Sequence, residues 1–217
     1  MNQNIRTDLK ILVVGCSGTG KTSFVKRWTK DEFKDTYSLT VVSEFGFKIH
    51  ESNGKFYRIQ LWDIGGQDKS PSMAKIFSRD SHGCIVISDS NDIKTLEDTL
   101  NWKKLVSEEA DFIDGGKLPF VLVQNKIDLI ENRDDFEKIE NETKEISENN
   151  FFDKYFMTSV KQNVNVEESM TFLIEKIIER LEKYAANGNI VFNEQKPRDT
   201  IKIRNTVRKR EKKKCCL

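Results

Sequence analysis

One stretch organises the predicted architecture of this chain: LKILVV at residues 9–14, followed directly by GCSGTGKT at residues 15–22. The first part is apolar and rich in β-branched residues, which predicts a buried strand. The second part matches the phosphate-binding pattern G-x-x-x-x-G-K-[ST], in which glycines allow successive backbone N–H groups to point at phosphate oxygens. The other interpretation is a glycine-rich turn without a ligand. The strand before the turn and the helix-like segment after it favour a nucleotide phosphate site.

Two side chains at the end of this loop have predicted roles in that site. Lys21 would reach the β- and γ-phosphates of a nucleotide, and the Thr22 hydroxyl would ligate Mg²⁺. The helix that begins here would add its positive dipole end. The loop alone fits ATP or GTP equally well, and it fits a motor, a kinase or a switch.

The composition predicts one α/β domain with an extension. The chain has 217 residues, of which 37% are hydrophobic and 33% are charged. No apolar run approaches the roughly 20 residues of a membrane span. The polar N-terminus lacks an apolar signal core, so we expect the chain to stay in the cytosol. The four cysteines show no metal-ligand or disulfide-framework spacing, which fits a reducing compartment.

The charge is unevenly distributed along the chain. The net charge is +1, but residues 188–217 contain ten Lys/Arg and three Asp/Glu, so this segment carries +7 and the remainder −6. The apolar periodicity also stops after Asn187. We therefore predict a folded domain over residues 8–186 and a flexible, disordered basic tail over residues 187–217.

Strands and helices alternate along residues 8–186, and the strands are short and apolar. This pattern predicts an α/β fold with a doubly wound, six-stranded, mostly parallel sheet and one antiparallel edge strand. Ligands of such sheets bind at the carboxyl ends of the strands. The predicted strands are 9–14, 41–50, 56–62, 83–87, 120–123 and 151–157. The predicted helices are 21–31, 68–80, 93–110, 134–148 and about 165–184. At the start of the last helix, Asn165 and Glu168 are predicted to form a capping box.

The segment after the third predicted strand, residues 63–67, reads DIGGQ. The Asp63 carboxylate at a strand end near the phosphate loop suits a Mg²⁺ site. Gly66 could offer its backbone N–H to a γ-phosphate, and Gln67 could orient an attacking water because its amide both donates and accepts. Without the phosphate loop, an ordinary strand-ending aspartate in a glycine turn would be the better interpretation.

Asn125 and Asp128 follow the fifth predicted strand in the sequence NKID. Guanine presents an acceptor at N7 and donors at N1 and N2, so an amide and a carboxylate three residues apart can bind its edge. Adenine lacks the two donors that a carboxylate needs, and Asp128 would then be buried and unpaired. A polar loop with no base-binding role is the alternative. The motif therefore favours GTP over ATP.

Together these motifs resemble the small GTPases, and within them the Rab family, over residues 8–186 and the tail. Residues 15–22 resemble the first Rab motif, 40–45 the first switch, 62–67 the second switch, 125–128 the base motif and 158–161 the last guanine loop. The resemblance implies that Thr40 ligates Mg²⁺ with Thr22 and Asp63, that Phe33 lies against the guanine, and that Phe45, Trp62 and Phe77 bind effectors. It implies the following nucleotide-binding set: Gly15, Ser17, Gly18, Thr19, Gly20, Lys21, Thr22, Ser23, Phe33, Tyr37, Thr40, Gly66, Asn125, Lys126, Asp128, Ser159, Val160 and Lys161.

Several residues refine or depart from the Rab pattern. Ile64, where most Rabs have Thr, is similar to the branch linked to lysosome-related organelles. Val42 stands where Gly is usual, Gly65 where Ala is usual and Ser70 where an aromatic residue is usual. These three positions touch the switches, so we expect them to alter effector choice and hydrolysis rate rather than nucleotide binding. Val160 replaces an Ala.

The chain ends in KKKCCL, and this ending resembles Rab tails that carry two geranylgeranyl groups. We predict lipidation of Cys215 and Cys216, since two lipids, or one lipid with basic charge, hold a protein stably on a bilayer. A four-residue prenylation box would need Cys at position 214, which is Lys. A solvated basic tail with incidental thiols is the alternative. Nucleic-acid binding is disfavoured because no aromatic residue follows Phe192.

The resulting hypothesis is a Rab-like GTP/GDP switch in vesicle trafficking, on the cytoplasmic face of endomembranes and cycling with the cytosol. The resemblance implies effectors, an exchange factor, a GTPase-activating protein, a prenylation escort and a GDP-dissociation inhibitor as partners, and Mg²⁺ as cofactor. Gln67 and Lys21 are the predicted catalytic residues. No obvious arginine finger is present in the sequence, so unaided hydrolysis should be slow, on the order of 10⁻⁴–10⁻³ s⁻¹. The alternatives are a GTP-binding membrane adaptor with little hydrolytic cycling and an ATP-dependent phosphotransferase.

Overall fold

The computed structural model describes residues 6–35, 44–65 and 76–188. Within these ranges a sheet is flanked by helices that alternate with its strands along the chain. The strands are β1 (Arg6–Val14), β2 (Glu44–Ser52), β3 (Lys55–Asp63), β4 (Gly83–Asp89), β5 (Phe120–Asn125) and β6 (Lys154–Met157). The helices are α1 (Lys21–Lys30), α2 (Ile93–Glu97), α3 (Thr99–Ser107), α4 (Arg133–Asn149) and α5 (Val166–Ala186), with a short 3₁₀ helix at Ile127–Leu129.

The strand order is β2-β3-β1-β4-β5-β6, and every neighbouring pair is parallel except β2 with β3. This confirms the predicted doubly wound sheet with one antiparallel edge strand. The β2–β3 turn contains Asn53 at φ 52° and Gly54 at φ 72°. Two consecutive positive φ values define the turn type that matches the twist of a two-residue hairpin, and Asn-Gly adopts them at low cost.

The core lies on both faces of the central strands. All six residues of β5 and six of the seven residues of β4 are buried, which is why 83–87 and 120–123 read as strands without polar alternation. Apolar residues at helical spacing on α5 are buried against the sheet: Met170, Leu173, Ile174, Ile177, Ile178 and Leu181. A Cβ at Gly83 would lie 2.8 Å from Ile177 Cδ1, so a glycine in β4 lets α5 approach the sheet closely.

Two differences between the predicted and observed bounds have a local cause. The predicted helix 93–110 is divided into α2 and α3 at Asp98, next to the buried Thr99, whose hydroxyl donates to the Leu96 carbonyl at 2.5 Å. The predicted strand 151–157 begins only at Lys154. Phe151 has φ 57°, a left-handed conformation that an extended strand cannot contain.

The predicted capping box at the start of α5 is wrong. Asn165 has φ 56°, and its side chain makes no capping hydrogen bond. Its amide instead donates to the Met157 carbonyl at 2.7 Å, so Asn165 ties the end of β6 to the start of α5. A side-chain cap requires an extended backbone at the N-cap residue, so the left-handed conformation of Asn165 explains the missing cap.

Some predicted segments lie outside the described residues: the beginning of the second strand at 41–43, most of the helix 68–80, and the tail from residue 189. A helical turn at residues 76–78 is the described part of that predicted helix. None of the described helices combines the length and apolar character that crossing a bilayer requires.

Candidate nucleotide-binding site

The phosphate loop leaves β1 and packs against the ends of two neighbouring strands through its glycines. Gly15 has φ 144°, and a Cβ there would lie 2.1 Å from the Ile87 carbonyl oxygen of β4. Gly20 has φ 97°, and a Cβ there would lie 2.5 Å from Asn125 Nδ2 at the end of β5. Gly18 also has a positive φ, 82°, but its Cβ would meet open space. Two glycines therefore allow close packing, and the third allows the curvature of the loop alone.

Lys21 lies inside this loop. Its side chain is buried, and Nζ donates to the Cys16 carbonyl oxygen at 2.7 Å. Burial lowers the pKa of the Lys21 ammonium, while the Asp63 carboxylate opposes this shift. An incoming anion would stabilise this cation, because the ammonium has lost its water and is held by backbone oxygen. The position suits the predicted contact with nucleotide phosphates.

The Thr22 hydroxyl donates a short hydrogen bond to the Asp63 carboxylate. Asp63 is the last residue of β3 and is fully buried, and it pairs in register with Val13 of β1, just before the loop. Among the described residues no group of three or more His, Cys, Asp or Glu side chains is arranged to hold a metal ion. A hydroxyl and one carboxylate fit Mg²⁺, which takes few protein oxygens and completes its shell with water and phosphate.

Asn125 connects three loops from a buried position at the end of β5. Its Nδ2 donates to the Thr19 carbonyl of the phosphate loop at 2.9 Å. Its Oδ1 accepts from the Thr158 hydroxyl at 3.2 Å and from the Val160 backbone N–H at 3.1 Å. An amide nitrogen carries two hydrogens, so one N–H remains for a ligand such as the guanine edge. Holding the loops is a role that the predicted base contact did not include.

The other residues of the predicted guanine loops lie beside Asn125. Asp128 is half-buried on the 3₁₀ helix and accepts from the Ser159 hydroxyl at 2.5 Å, which orients its carboxylate. Lys126 has φ 68°, and its Nζ lies 2.6 Å from Asp89 Oδ2 of β4. Lys161 pairs with Asp35 at 3.3 Å, on the chain segment that includes the half-buried Phe33. The sheet thus brings the phosphate loop and the guanine loops to one edge.

The predicted effector residues form a contiguous group on β2, β3 and the turn at 76–78. The rings of Phe45 and Trp62 have centroids 5.6 Å apart, and those of Trp62 and Phe77 are 6.0 Å apart. Phe47 extends this group through a ring contact with Phe45 at 6.3 Å, and Ile76 directly precedes Phe77 in the chain; more than half of the surface of Phe47 and of Ile76 is exposed. We name these five residues the aromatic surface. Exposed apolar groups of this kind mark interaction sites.

Sequence reasoning missed two contacts that shape the site. The Cys16 thiol donates to Asp98 Oδ2 at 3.1 Å, which ties the phosphate loop to the junction of α2 and α3. Arg27 on α1 donates to the Val160 and Lys161 carbonyls at 3.0 and 3.2 Å. Cys16 occupies a variable position of the phosphate-loop motif and Arg27 belongs to no motif, so only a three-dimensional arrangement could reveal these roles. Phe47 had a detectable signal, since it alternates with Phe45 on one face of β2.

Ser17 is exposed on the phosphate loop, and Ser23 is half-buried in the first turn of α1, so both lie beside the predicted phosphate position. The remaining predicted site residues lie outside the described ranges. They are Tyr37, Thr40, Gly66, Gln67, Cys215 and Cys216, together with the departures at Val42 and Ser70.

Comparison with known proteins agrees with this geometry. The model of the Ras family matches residues 10–179. Human Ras-related protein Rab-32 is 32% identical over 209 residues, which cover 95% of this chain and 88% of that protein. Rat Ras-related protein Rab-7L1 is 33% identical, covering 87% of this chain and 93% of that protein. Ras-related protein Rab-32A of Dictyostelium discoideum is 35% identical, covering 78% and 77%.

These matches confirm the resemblance that the motifs predicted, and the Rab-32 matches support the similarity to the branch linked to lysosome-related organelles. They also agree with the six-stranded sheet of the structure. The chain therefore belongs to the Ras family and, within it, to the Rab small GTPases, which bind GTP and GDP and hydrolyse GTP.

Proposed function

We propose that this GTPase is a membrane-bound Rab switch that recruits effector proteins in vesicle trafficking. The observation that carries the proposal is the meeting of Lys21, Thr22 and Asp63 at one edge of the sheet, beside the loops that Asn125 connects. The folded domain would be residues 8–186. The basic segment 187–217 would place it on a membrane.

Phosphate binding would begin with Lys21. When a nucleotide enters, the Lys21 ammonium would exchange the Cys16 carbonyl for phosphate oxygens, with the loop N–H groups around it. Thr22 and Asp63 would hold Mg²⁺, joined by Thr40 in the GTP state. This ion would neutralise charge on the β- and γ-phosphates. Thr22 would then donate its hydroxyl hydrogen elsewhere and offer its lone pair to the ion.

Base selection would depend on Asp128 and Asn125. Asp128, oriented by Ser159, would accept hydrogen bonds from the guanine N1 and N2 donors. The remaining N–H of Asn125 would donate to N7. An adenine in this position would leave the carboxylate without donors, so GTP should be preferred by several kcal/mol.

Hydrolysis would use Gln67 to position the attacking water, and the Gly66 N–H would help to order the γ-phosphate. β3 leads directly from Trp62 through Asp63 to these residues. β2 follows the segment that contains Thr40. When GTP orders the two loops, it would therefore also fix the adjoining ends of β2 and β3, which carry Phe45 and Trp62 of the aromatic surface. Effectors would bind this ordered, GTP-bound state.

The partners follow from the same cycle. An exchange factor would release GDP, an activating protein would supply the missing positive charge, and effectors would bind the GTP state. Lipids on Cys215 and Cys216, delivered through a prenylation escort and extracted by a GDP-dissociation inhibitor, would let the protein alternate between the cytoplasmic face of endomembranes and the cytosol. Replacing both cysteines with serine should move the full chain to the cytosolic fraction, and unchanged membrane association would contradict the lipid anchor.

Single-turnover GTP hydrolysis tests the proposal. The purified protein should retain bound GDP or GTP, hydrolyse GTP at on the order of 10⁻⁴–10⁻³ s⁻¹, and be accelerated at least about 10³-fold by a suitable Rab-activating protein. Gln67→Leu should abolish the acceleration. Gln60→Leu makes the same substitution within β3, seven residues before Gln67; it is the matched control and should not abolish the acceleration. Hydrolysis at tens per second without a partner would refute the switch, and no acceleration by any activator would favour the adaptor.

A further inference from the structure

Arg27, in the last turn of α1, connects the two segments that border the predicted base position. Its Nε donates to the Val160 carbonyl at 3.0 Å, and its Nη2 donates to the Lys161 carbonyl at 3.2 Å. Its Nη1 donates to the Asp31 carbonyl at 3.2 Å and to Asp31 Oδ1 at 3.1 Å. The guanidinium carbon lies 5.7 Å from the centroid of the Phe33 ring. One side chain therefore holds both segments.

The segment after α1 depends on this contact for its path. Asp31 ends the helix in a left-handed conformation at φ 55°, and its N–H donates to the Arg27 carbonyl at 2.9 Å. The chain then continues through Phe33, which is half-buried against the edge of the core. Arg27 thus anchors the end of α1 and the approach to the first switch through both its backbone and its side chain.

The last guanine loop is held from two opposite sides at the same residue. The Val160 N–H donates to Asn125 Oδ1, whereas the Val160 carbonyl accepts from Arg27. Val160 itself is buried. Without Arg27, the loop would keep Asn125 on one side and lose its tie to α1 on the other.

The chemistry of arginine suits this position. The side chain of Arg27 is only 14% exposed, so its hydrogen bonds are poorly screened by water. The planar fork can bond two successive carbonyls and stack near an aromatic ring, which the single ammonium of lysine cannot do. The second link between the same segments, Lys161 with Asp35, is 50% and 73% exposed and should contribute little.

We propose that Arg27 is a positioning residue that limits the rate of GDP release, because it holds the guanine loop and the Phe33 segment together over the base. The inference rests on the proposed nucleotide site. Phosphate and Mg²⁺ contacts lie at the other end of that site, so Arg27 would act on the base side alone. Opening the first switch during exchange would then require breaking the Arg27 contacts.

The test is the dissociation of a fluorescent N-methylanthraniloyl GDP from the full-length chain, chased with excess GDP. Arg27→Ala should release the nucleotide about tenfold to a hundredfold faster, as expected for charge-assisted hydrogen bonds. Arg27→Lys should also be fast, since it keeps the charge but not the fork. Asp35→Asn, which removes only the exposed link, should change the rate at most about fivefold.

Arg180→Ala is the matched control. Arg180 lies on α5 and makes the same two kinds of contact with the loop after α3. Its guanidinium carbon is 4.1 Å from the centroid of the Phe112 ring, and its Nη1 donates to the Lys117 carbonyl at 2.7 Å. It should lower the melting temperature at least as much as Arg27→Ala and leave GDP release unchanged. EDTA should accelerate release by the same factor in wild type and in Arg27→Ala, because independent effects multiply.

Three outcomes would overturn the proposal: a wild-type release rate in Arg27→Ala, a wild-type rate in Arg27→Lys, or equal acceleration by Arg180→Ala. The first would mean that the loop holds its position without Arg27. The second would mean that charge alone suffices, and the third that general destabilisation explains the effect. Failure of the proposed function is a separate result, in which the wild-type chain binds no guanine nucleotide at all.

Discussion

The nucleotide site and the aromatic surface share strand β3 but differ in how their side chains are used. Along β3, Tyr57, Ile59, Leu61 and Asp63 are buried, while the alternate residues, including Trp62, are only partly covered. The buried side ends in a carboxylate that contacts the phosphate loop. The other side ends in a ring that packs between Phe45 and Phe77. Alternation along one strand thus separates a site held by internal bonds from a surface available to partners.

This difference predicts where substitutions affect folding and where they affect only binding. Buried polar groups at the nucleotide site bond to other loops, so a single change leaves partners unsatisfied inside the protein. Phe45 and Phe47, the exposed rings of the aromatic surface, carry no hydrogen-bonding group, so removing one leaves no polar partner unsatisfied. We therefore expect large stability effects at the first region and small ones at the second.

The largest effect is expected for Gly15→Ala. Its Cβ would lie 2.1 Å from the Ile87 carbonyl oxygen, in a backbone conformation at φ 144° that alanine avoids. Either β4 or the loop must move, and the free energy of unfolding should fall by at least about 4 kcal/mol. Urea unfolding at saturating GDP measures it. Gly18→Ala is the control, because it meets open space and should cost only about 1 to 2 kcal/mol for its positive φ. Equal losses in the two variants would show that close packing is not the cause.

Asn125→Ala should have the next largest effect. It removes hydrogen bonds to Thr19, Thr158 and Val160 and leaves a buried carbonyl and N–H unsatisfied, for a loss of about 3 to 4 kcal/mol in unfolding free energy. Affinity for GDP should fall at the same time. Gln124→Ala removes an equally buried amide, bonded to Ser88, from the same strand. It should lose stability but keep its GDP affinity, as measured by calorimetric titration.

The contrast between these two regions also explains what the sequence could and could not predict. Some features were predictable because each depends only on residues close together in the sequence. The buried runs of β4 and β5 predicted strands, the Asn53-Gly54 turn predicted the hairpin, and the glycine pattern of the phosphate loop predicted the site. The roles of Arg27 and Asn125 as connectors depend on residues more than 100 positions away, and no local pattern records them. The capping prediction at Asn165 was wrong because this residue adopts a left-handed conformation and bonds to the Met157 carbonyl, a contact between the end of β6 and the start of α5 that the capping pattern does not record.

A third prediction concerns His82, which supports β1 beneath the aromatic surface. Its Nδ1 accepts the Lys10 backbone N–H at 3.1 Å, and Lys10 Nζ in turn lies 4.8 Å from the Trp62 ring. Burial lowers the pKa of His82 to about 4, against the opposing charge of Asp80. Between about pH 6.5 and pH 4 the His82 side chain is protonated in the unfolded chain but neutral in the folded chain. The free energy of unfolding therefore falls as the pH drops from about 6.5 to about 4, and below about pH 4 this loss levels off.

The total loss from His82 should be about 3 kcal/mol. Urea unfolding of wild type and His82→Asn from pH 8 to pH 4 isolates it, because carboxylates titrate in both proteins and cancel in the difference. The variant should be less stable at neutral pH and show the flatter profile. Parallel profiles would mean that His82 takes up its proton in the folded state as readily as in the unfolded chain.

The smallest effect on stability is expected at Phe45, where binding should nevertheless change most. Its side chain is 53% exposed and contacts Trp62 and Phe47 at ring distances of 5.6 and 6.3 Å, so Phe45→Ala should lower unfolding free energy by only about 1 kcal/mol. A ring at the centre of an interface typically contributes about 2 kcal/mol or more, which is roughly a thirtyfold loss of effector affinity. GDP release should stay at the wild-type rate, because the ring contacts of Phe45 within the described ranges are with Trp62 and Phe47 on the strands. Phe151→Ala removes an even more exposed ring, 81% accessible, from the far edge of the sheet. An equal loss of effector binding in Phe45→Ala and Phe151→Ala would mean that the effector does not bind specifically at the aromatic surface. A loss confined to Phe45→Ala would show that one side of β3 serves effector binding while the other side serves stability.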